Sequence, residues 1–505
     1  MAKISTPSFI TELPLKVDSK QQTELLARFQ AARQLYNACL SEALIRMELV
    51  RNQEAYQQAK KLRGGNKKER QNLFIEARKN YRFSEYDLGS FGTATANNSK
   101  WMSKKLGAHE KINMGFRAFK AVDKILFGMA KGVRFKPANR FKSVEGKSNA
   151  TGLRFVKNHV LWKKLTIEPI IDWSNPVITH GLNSPIKYCR ILWRNINDKK
   201  RWYIQLINEG LPYQKPQNYV RNGTIGLDLN ISNVAFVGDD YAGLLPFAKK
   251  VPTYERELKA LQRKMQRSQR LHNPENFELD FDKKVGNKVV RKKGKVKPGK
   301  KQWIKTRNYR RIQVKKADIE RKKSAYGKSQ NRKLVNEILR HGNRIKTENV
   351  SVKGWHKRYG KAISAKSPGF FQSELARKAE SAGGQFVKFS TQKTALSQTH
   401  LDGTRIKKKL SERVHRDVTG IQPMHRDLWS AYLARCVYGD VLSLRDAQWE
   451  YSDTEPYLLE AWQRYRTNCK QVAERERKGS HSPSEQFSNK VLNLSQIANR
   501  GDKLG

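Results

Sequence analysis

The sequence has few cysteines, no long apolar run and far fewer acidic than basic residues. Its four cysteines are far apart and form no C-x-x-C pair: Cys39, Cys189, Cys436 and Cys469. Neither a disulfide framework nor a thiolate zinc site is therefore predicted. No stretch approaches the roughly 20 apolar residues that cross a bilayer, and the first residues, MAKISTPSFITELPLKV, lack the apolar core of a signal peptide. We expect reduced thiols, no membrane partner and a cytoplasmic location.

What the chain has in excess is positive charge. Its 101 Lys and Arg residues against 46 Asp and Glu give a net charge of +55, which is hard to sustain in a compact state without a polyanion. Nucleic acid is the expected partner, and a small-molecule substrate is not. Charge alone predicts phosphate binding and not cleavage. With 505 residues, 38% of them hydrophobic, the chain is expected to fold into two to four structural units.

The first half of the chain predicts a β unit interrupted by helices. Residues 8–17 are typical of a strand, a helical periodicity begins at about residue 21, and charged helical segments follow at 54–81 and 113–131. From Val133 the pattern predicts strands in VRFKP, LRFVKNHVLWKKLTI, IKYCRILWR and RWYIQLI, with a hairpin turn at Asn197-Asp198. We expect a small antiparallel barrel or sheet with a helical block inserted into it.

Alternating strand and helix patterns after Asn222 predict an α/β layer fold with a partly parallel sheet. A basic insertion at 251–330 has two interpretations, a solvated, partly disordered loop or a nucleic-acid contact arm. The second requires cations on phosphates and aromatic rings on bases, and the candidates are Lys292, Lys293, Lys295, Lys297, Trp303 and Tyr309. Residues 479–505 are polar and predict a flexible tail.

Three acids occur where an acid is costly unless it is paired or bound to a metal. Asp228 is inside the apolar strand TIGLDLNIS, Glu348 closes the strand RIKTE, and Asp427 opens the helix DLWSAYLARCV. Phosphodiester hydrolysis by water needs charge stabilisation that two divalent ions held by carboxylates supply. Taken singly, each acid also fits a purely structural role: Asp228 as a turn residue, Glu348 as a solvated strand end, and Asp427 as a helix N-cap.

In order, these segments resemble the TnpB or OrfB proteins of bacterial insertion sequences, the group to which type V CRISPR effectors are related. The resemblance depends on IGLDLNISNVAFV, IKTENVSV and MHRDLWSAYLAR as the three RuvC motifs, and on SPGFFQSELARKAESAGGQFVKFSTQKTALSQT between the last two. RQLYNACLSEAL also resembles an early helical motif of the family. The likeness covers about residues 8–440.

The resemblance implies a multidomain α+β protein in a bacterial cytoplasm. It implies a wedge-like β-barrel domain (1–20 and 133–220), an inserted helical recognition domain (21–132) and an α/β RuvC nuclease domain with an RNase H-like fold (221–478). It also implies RNA-guided cleavage of double-stranded DNA next to a short flanking motif, with guide RNA and target DNA as partners. Asp228 would bridge two Mg²⁺ ions, Glu348 and Asp427 would each favour one, and Arg426 matches a basic residue before the third acid.

The chain departs from this family at 391–425, where many members have a zinc ribbon with two cysteine pairs. His400, Asp402, Asp417 and Thr419 stand at about those places, so all four thiolates are missing. His400, His415 and His425 offer an alternative ligand set, but flexibly spaced histidines are more often structural, and no zinc is expected. Two other functions remain open: an RNA-guided DNA-binding protein that does not cut, and a conventional transposase acting on transposon ends.

Overall fold

The computed structural model describes residues 6–62, 66–248, 252, 254–286, 288–299, 301–409 and 411–478. The predicted tail at 479–505 lies outside these residues. The described chain forms two compact units: one holds residues up to Lys215 together with Ala260–Asp318, and the other holds Pro216–Lys259 together with residues from Ile319 onward. Among the described residues, no helix combines the length and the apolar character needed to cross a membrane.

The first unit begins with a strand and then a long run of helices. Its elements up to residue 209 are β1 Ser8–Lys16, α1 Ser19–Asn52, α2 Glu54–Lys61, α3 Lys67–Asn80, α4 Glu85–Asn98, α5 Lys100–Lys105, α6 Ala108–Leu126, β2 Ser143–Glu145, β3 Leu153–Val156, β4 His159–Trp162, β5 Leu165–Pro169, α7 Pro176–Asn183, β6 Ile186–Ile196 and β7 Lys199–Glu209. The strands form one seven-stranded sheet in the order β2-β6-β7-β1-β5-β4-β3. Thus β1 pairs with β7 and β5, and the helices lie between these partners in sequence.

Local sequence explains several of these boundaries. The side chain of Asp18 accepts a hydrogen bond from Gln21 N, and Gln21 bonds back to Asp18 N, which is a capping box that begins α1. The β6–β7 turn places Asn197 and Asp198 at φ of 50° and 63°, the left-handed pair that a two-residue hairpin turn needs. The predicted hairpin turn is therefore confirmed.

The predicted strand VRFKP is wrong, because residues 133–137 form no strand. Their backbone bonds to side chains of α1 instead of a neighbouring strand: Lys136 N donates to Asn37 Oδ1, and Lys136 O accepts from Arg33 and Asn37. Side-chain partners therefore satisfy this backbone without a sheet.

The remaining elements belong to the second unit and to the basic insertion. They are β8 Thr224–Leu229, β9 Asn233–Val237, β10 Ala242–Pro246, α8 Glu255–His272, β11 Phe281–Val285, β12 Lys288–Lys292, α9 Arg307–Leu339, β13 Arg344–Glu348, α10 Val352–Ser364, α11 Pro368–Ser381, β14 Gln385–Phe389, α12 Thr391–Thr394, β15 Val414–His415, β16 Met424–His425, α13 Arg426–Arg435, β17 Val437–Tyr438, β18 Val441–Leu442 and α14 Leu444–Lys478. A five-stranded sheet in the order β10-β9-β8-β13-β14 is central. Strands β8, β13 and β14 are parallel to one another, whereas β9 pairs antiparallel with both β8 and β10. The predicted partly parallel sheet is therefore confirmed.

Helix α13 packs on this sheet, and nine of its ten residues are buried. One cluster of apolar side chains joins α13 to β9, β10 and α14, with Trp429 and Tyr432 among the largest buried side chains. A second cluster joins β8, β9 and β13 to α9 and α11. The sheet is thus covered on two sides, as its near-continuous apolar strands require.

Candidate active site

Two of the predicted acids lie side by side on neighbouring strands. Strands β8 and β13 are parallel, with Leu227 opposite Thr347, so Asp228 and Glu348 form the next pair along the two strands. Side chains of paired residues in a sheet point to the same face. Both carboxylates therefore lie on the face that also carries Gly226.

Helix α13 lies directly over that face. A Cβ atom on Gly226 would come within 1.9 Å of Ala431 O, so only glycine permits this close approach. On the neighbouring strand, Lys346, which pairs with Gly226, donates from Nζ to Arg435 O at 2.6 Å. Residues 431–435 of α13 therefore lie over the middle of β8 and β13, whereas Asn230, just beyond the end of β8, bonds to Asp427 in the first turn of the helix. The helix thus runs antiparallel to β8, and Asp427 lies near the strand ends that carry Asp228 and Glu348.

Asp427 is buried, with 2% of its surface exposed, and two neighbours hold it. Asn230, from the turn after β8, donates from Nδ2 to Asp427 Oδ2 at 3.1 Å, and its own Oδ1 accepts from Ile231 N at 2.7 Å. His425 is the N-cap of α13 and accepts from Asp427 N through Nδ1 at 3.2 Å. An amide and an imidazole thus orient the third acid.

The surroundings of Asp228 and Glu348 are unfavourable for negative charge. Burial, followed by the charges of Asp427 and Glu348, holds the pKa of Asp228 well above its usual range, although Arg426 and Arg413 act in the opposite direction. Burial also raises the pKa of Glu348 to about 7. Carboxylates that repel one another across a buried site need more positive charge than these arginines provide. The donor set therefore fits divalent cations, which prefer oxygen ligands.

A second polar cluster lies in the same unit, within the segment 391–425 where the family resemblance predicted a departure from a zinc ribbon. Among the described residues, His400, His415 and Asp417 are the one group of three whose possible metal-ligand atoms all lie within 4.8 Å of one another. The third histidine considered from sequence, His425, is not part of it and instead caps α13. Asp228, Glu348 and Asp427 do not form so tight a group.

Hydrogen bonds already engage this second cluster. The side chain of Asp417 is fully covered, and it accepts from His415 Nε2, Leu401 N and both the amide and the hydroxyl of Thr419. Burial by itself would raise the pKa of Asp417, but these hydrogen bonds lower it. Asp402 makes a smaller, exposed version of the same turn, accepting from the amide and hydroxyl of Thr404.

The tautomer of His415 argues against a metal ion at this cluster. Burial lowers the pKa of His415 to about 4, so the ring is neutral. Lys408 Nζ lies 2.5 Å from its Nδ1, and an ammonium group can only donate there. The proton of His415 is therefore on Nε2, directed at Asp417, where a metal ion would require a lone pair. Among these residues, only His400 Nε2 is buried without a partner.

The described residues of the basic insertion form α8, the paired strands β11 and β12 and the beginning of α9, so they are not a loop throughout. Lys292, Lys293, Lys295 and Lys297 are exposed, as phosphate contacts require. Tyr309 is only 5% exposed, which leaves no face for a base, and its predicted stacking role is not supported. Trp303 is partly buried and packs edge-on against Phe277, with ring centroids 5.7 Å apart.

Sequence reasoning missed two residues that organise these sites. Asn230 was given no role from the sequence, and its bond to Asp427 spans 197 positions. Asp417 was considered only as a substitute for cysteine, although the sequence Asp-Val-Thr-Gly contains the Asx-turn signal that it adopts. A search for turn-forming acids beside histidines could have found Asp417; no local signal could have found Asn230.

No protein-family model and no curated protein sequence matches this chain. Among solved structures, it is similar to a chain of the Cas12f1-sgRNA-target DNA complex, with 9% identity, 85% of this chain and 98% of that chain covered, and a TM-score of 0.43. It is also similar to a chain of a CRISPR-Cas12f ternary complex, with 11% identity, 82% and 81% coverage, and a TM-score of 0.25. Both TM-scores are too low for the similarity to establish a shared function.

Proposed function

We propose that this protein is an RNA-guided DNA endonuclease that cleaves double-stranded DNA beside a short flanking motif. The observation that carries the proposal is the convergence of Asp228 and Glu348, on β8 and β13, with Asp427 in the first turn of the helix above them, and the pKa of Asp228 is raised by burial and by the other two acids. Acids in such a position are costly unless they bind cations, and strongly perturbed acids mark functional sites.

In this proposal the second unit is a RuvC-like nuclease domain with an RNase H-like fold, and the first unit holds the wedge-like and recognition domains. Asp228, Glu348 and Asp427 would hold two Mg²⁺ ions, which, when bound, activate water and stabilise charge on the leaving oxygen. No zinc is proposed, because the proton on His415 Nε2 is directed at Asp417.

The residues around the acids have separate tasks. Asn230 orients Asp427 through its amide. His425 caps the helix that carries Asp427, and burial lowers the pKa of His425, which keeps its Nδ1 free to accept a hydrogen bond. Arg426 bonds through its guanidinium to Lys409 O, and with Arg413 it places positive charge beside the acids, where a scissile phosphate would lie.

The net charge of +55 supports partners that are polyanions, and a guided nuclease must hold both a structured RNA and its DNA target. In such proteins base pairing reads the target sequence, while the protein holds the backbones of the nucleic acids. This division explains why the basic residues are distributed along the whole chain.

The test begins with the RNA that copurifies when the protein is expressed with its native flanking DNA. After this RNA is sequenced, the complex is incubated with Mg²⁺ and a plasmid library that carries matched targets beside randomised flanks. We expect one defined RNA and cleavage of matched targets, and Asp228→Ala should lower the cleavage rate about 1,000-fold or more, since each 1.36 kcal/mol of lost stabilisation is tenfold in rate.

Binding by Asp228→Ala is the control, and it should be retained, because the substitution removes a metal ligand and not a nucleic-acid contact. Retained cleavage by this variant would refute the site assignment. Target binding without cleavage by the unaltered protein would favour an RNA-guided binding protein. The absence of a defined RNA, with binding to transposon ends, would favour a conventional transposase.

A further inference from the structure

The basic insertion carries a two-stranded β-ribbon whose two faces differ. Strands β11 and β12 pair antiparallel, with Phe281 opposite Lys292 and Val285 opposite Lys288. Every described residue of the two strands is exposed. One face, called here the lysine face, carries Phe281, Lys283, Val285, Lys288, Val290 and Lys292. The opposite face contains the ribbon's acid, Asp282, across from Arg291.

Hydrogen bonds and a close backbone contact fix the base of the ribbon. Asp280 Oδ1 accepts from Gly294 N at 2.9 Å, and Arg270 of α8 donates to Gly294 O at 2.7 Å. A Cβ atom on Gly294 would lie 1.9 Å from Glu278 O, so the two chains at the base touch as only glycine allows. Asn273 bonds through its side chain to both the amide and the carbonyl of Ile304. Contacts within residues 270–304 thus fix how the ribbon leaves α8.

The ribbon and the residues that follow it carry a concentration of positive charge. Residues 283–297 contain eight Lys or Arg and no acid, and all eight are exposed. Within the described residues, none of the eight side chains takes part in the ion pairs found, whereas Arg270 at the base lies 3.8 Å from Asp280. A segment with eight exposed cations, five of them on the ribbon itself, is a surface complementary to a polyanion.

The shape of the lysine face decides which polyanion fits. Binding of single strands uses aromatic platforms on which successive bases stack, but this face has one aromatic ring and two valines. A two-stranded ribbon, with strands about 4.8 Å apart, fits the B-DNA major groove, which is about 12 Å wide and 8.5 Å deep. The major groove of A-form RNA is too narrow to admit side chains.

We infer that the ribbon formed by β11 and β12 binds B-form duplex DNA, with its lysine face in the major groove and its lysines on the flanking phosphates. The partner is therefore DNA that remains double-stranded, distinct from any strand paired with RNA. The inference holds whether or not the protein cleaves, because it depends on the ribbon and not on the three acids.

The experiment compares two double variants that remove the same charge from opposite faces, both made in the full chain carrying Asp228→Ala so that no probe is cut. One removes Lys283 and Lys288 from the lysine face, and the other removes Lys284 and Arg291 from the opposite face, each by substitution with Ala. Dissociation constants are measured against salt concentration for a DNA duplex of unrelated sequence, an RNA duplex of the same sequence and the DNA single strand.

We expect the lysine-face variant to lower the salt slope for the DNA duplex by about 2, because each lysine that neutralises a phosphate adds about one unit to the slope. The opposite-face variant should leave that slope nearly unchanged, and neither variant should alter the slope for the RNA duplex or the single strand. Equal effects from the two faces would overturn the inference, since the ribbon would then attract DNA only through its net positive charge and not through one face. An effect confined to the RNA duplex, the single strand or the copurifying RNA would also overturn it.

Discussion

The second unit contains two buried polar clusters that solve the problem of buried charge in opposite ways. Around Asp417, hydrogen bonds from His415, Leu401 and Thr419 hold the carboxylate and lower its pKa. Around Asp228, burial and then the charges of two further carboxylates raise the pKa. Hydrogen-bond donors of the protein thus stabilise the first carboxylate, whereas the surroundings of the second disfavour its negative charge. In the proposed function the first acid serves folding, and the second acid binds cations.

The largest effect on stability should follow the removal of Asp417, the acid that hydrogen bonds from the protein stabilise. Asp417→Ala would leave the amides of Leu401 and Thr419 and the Nε2 proton of His415 without an acceptor, at a cost of about 3 kcal/mol, since each buried unsatisfied group costs about 1–3 kcal/mol. We expect faster hydrogen exchange in residues 396–409 and 411–420 and a lower denaturation midpoint.

Asp402→Ala is the matched control, because Asp402 forms the same kind of turn with Thr404 but is exposed. It should leave both measurements unchanged. If the two variants behaved alike, the cluster around Asp417 would not be a stabilising element.

The next effect concerns the residue that connects the turn after β8 to the third acid. Asn230→Ala removes the hydrogen bond to Asp427, and loss of an outer-shell partner typically costs 10–100-fold in metal affinity. We expect the Mg²⁺ concentration for half-maximal cleavage to rise by about 10–100-fold. The stabilisation of the protein by Mg²⁺ in thermal unfolding should shift in parallel, which gives a readout independent of activity.

Ser232→Ala in the same turn serves as the control, because the hydroxyl of Ser232 bonds only to Asn233. Its Mg²⁺ dependence should match that of the unaltered protein. A lower cleavage rate with unchanged Mg²⁺ dependence in Asn230→Ala would contradict a role in positioning Asp427.

The smallest effect is a pH dependence of stability in the metal-free protein. The pKa of Glu348 is about 7 in the folded state against a usual value of 4.5, so its ionisation opposes folding above pH 7. That penalty diminishes as the pH falls from 7 toward 4.5, where the folded state holds the proton and the unfolded chain does not. Glu348→Gln should therefore raise the thermal midpoint in EDTA at pH 8 more than at pH 5.

An exposed glutamate of α11 provides the comparison, because Glu380→Gln removes the same charge from the surface. Its effect should be small at both pH values. An equal gain at pH 8 and pH 5 in Glu348→Gln would show that the carboxylate is not held in a charge-disfavouring environment.

The sequence predicted those parts of the fold that depend on local chemistry. The Asn197-Asp198 turn followed from two residues that tolerate the left-handed conformation, and the sheet strands followed from their apolar runs. The strand expected at 133–137 failed because Asn37 and Arg33, about a hundred positions away, bond to its backbone. Tyr309 failed as a stacking residue because its burial depends on partners that periodicity does not reveal.

By itself, the sequence determined that the protein carries a large positive charge and that three acids stand in or beside apolar segments, because composition and residue spacing are properties of the chain alone. Only the tertiary structure decided that Asp228 and Glu348 are strand neighbours beneath Asp427, and that Asp417 is stabilised by the hydrogen bonds it accepts. Strand register and helix packing bring together residues far apart in sequence. Whether a buried acid is repelled by other acids or stabilised by hydrogen-bond donors depends on those neighbours.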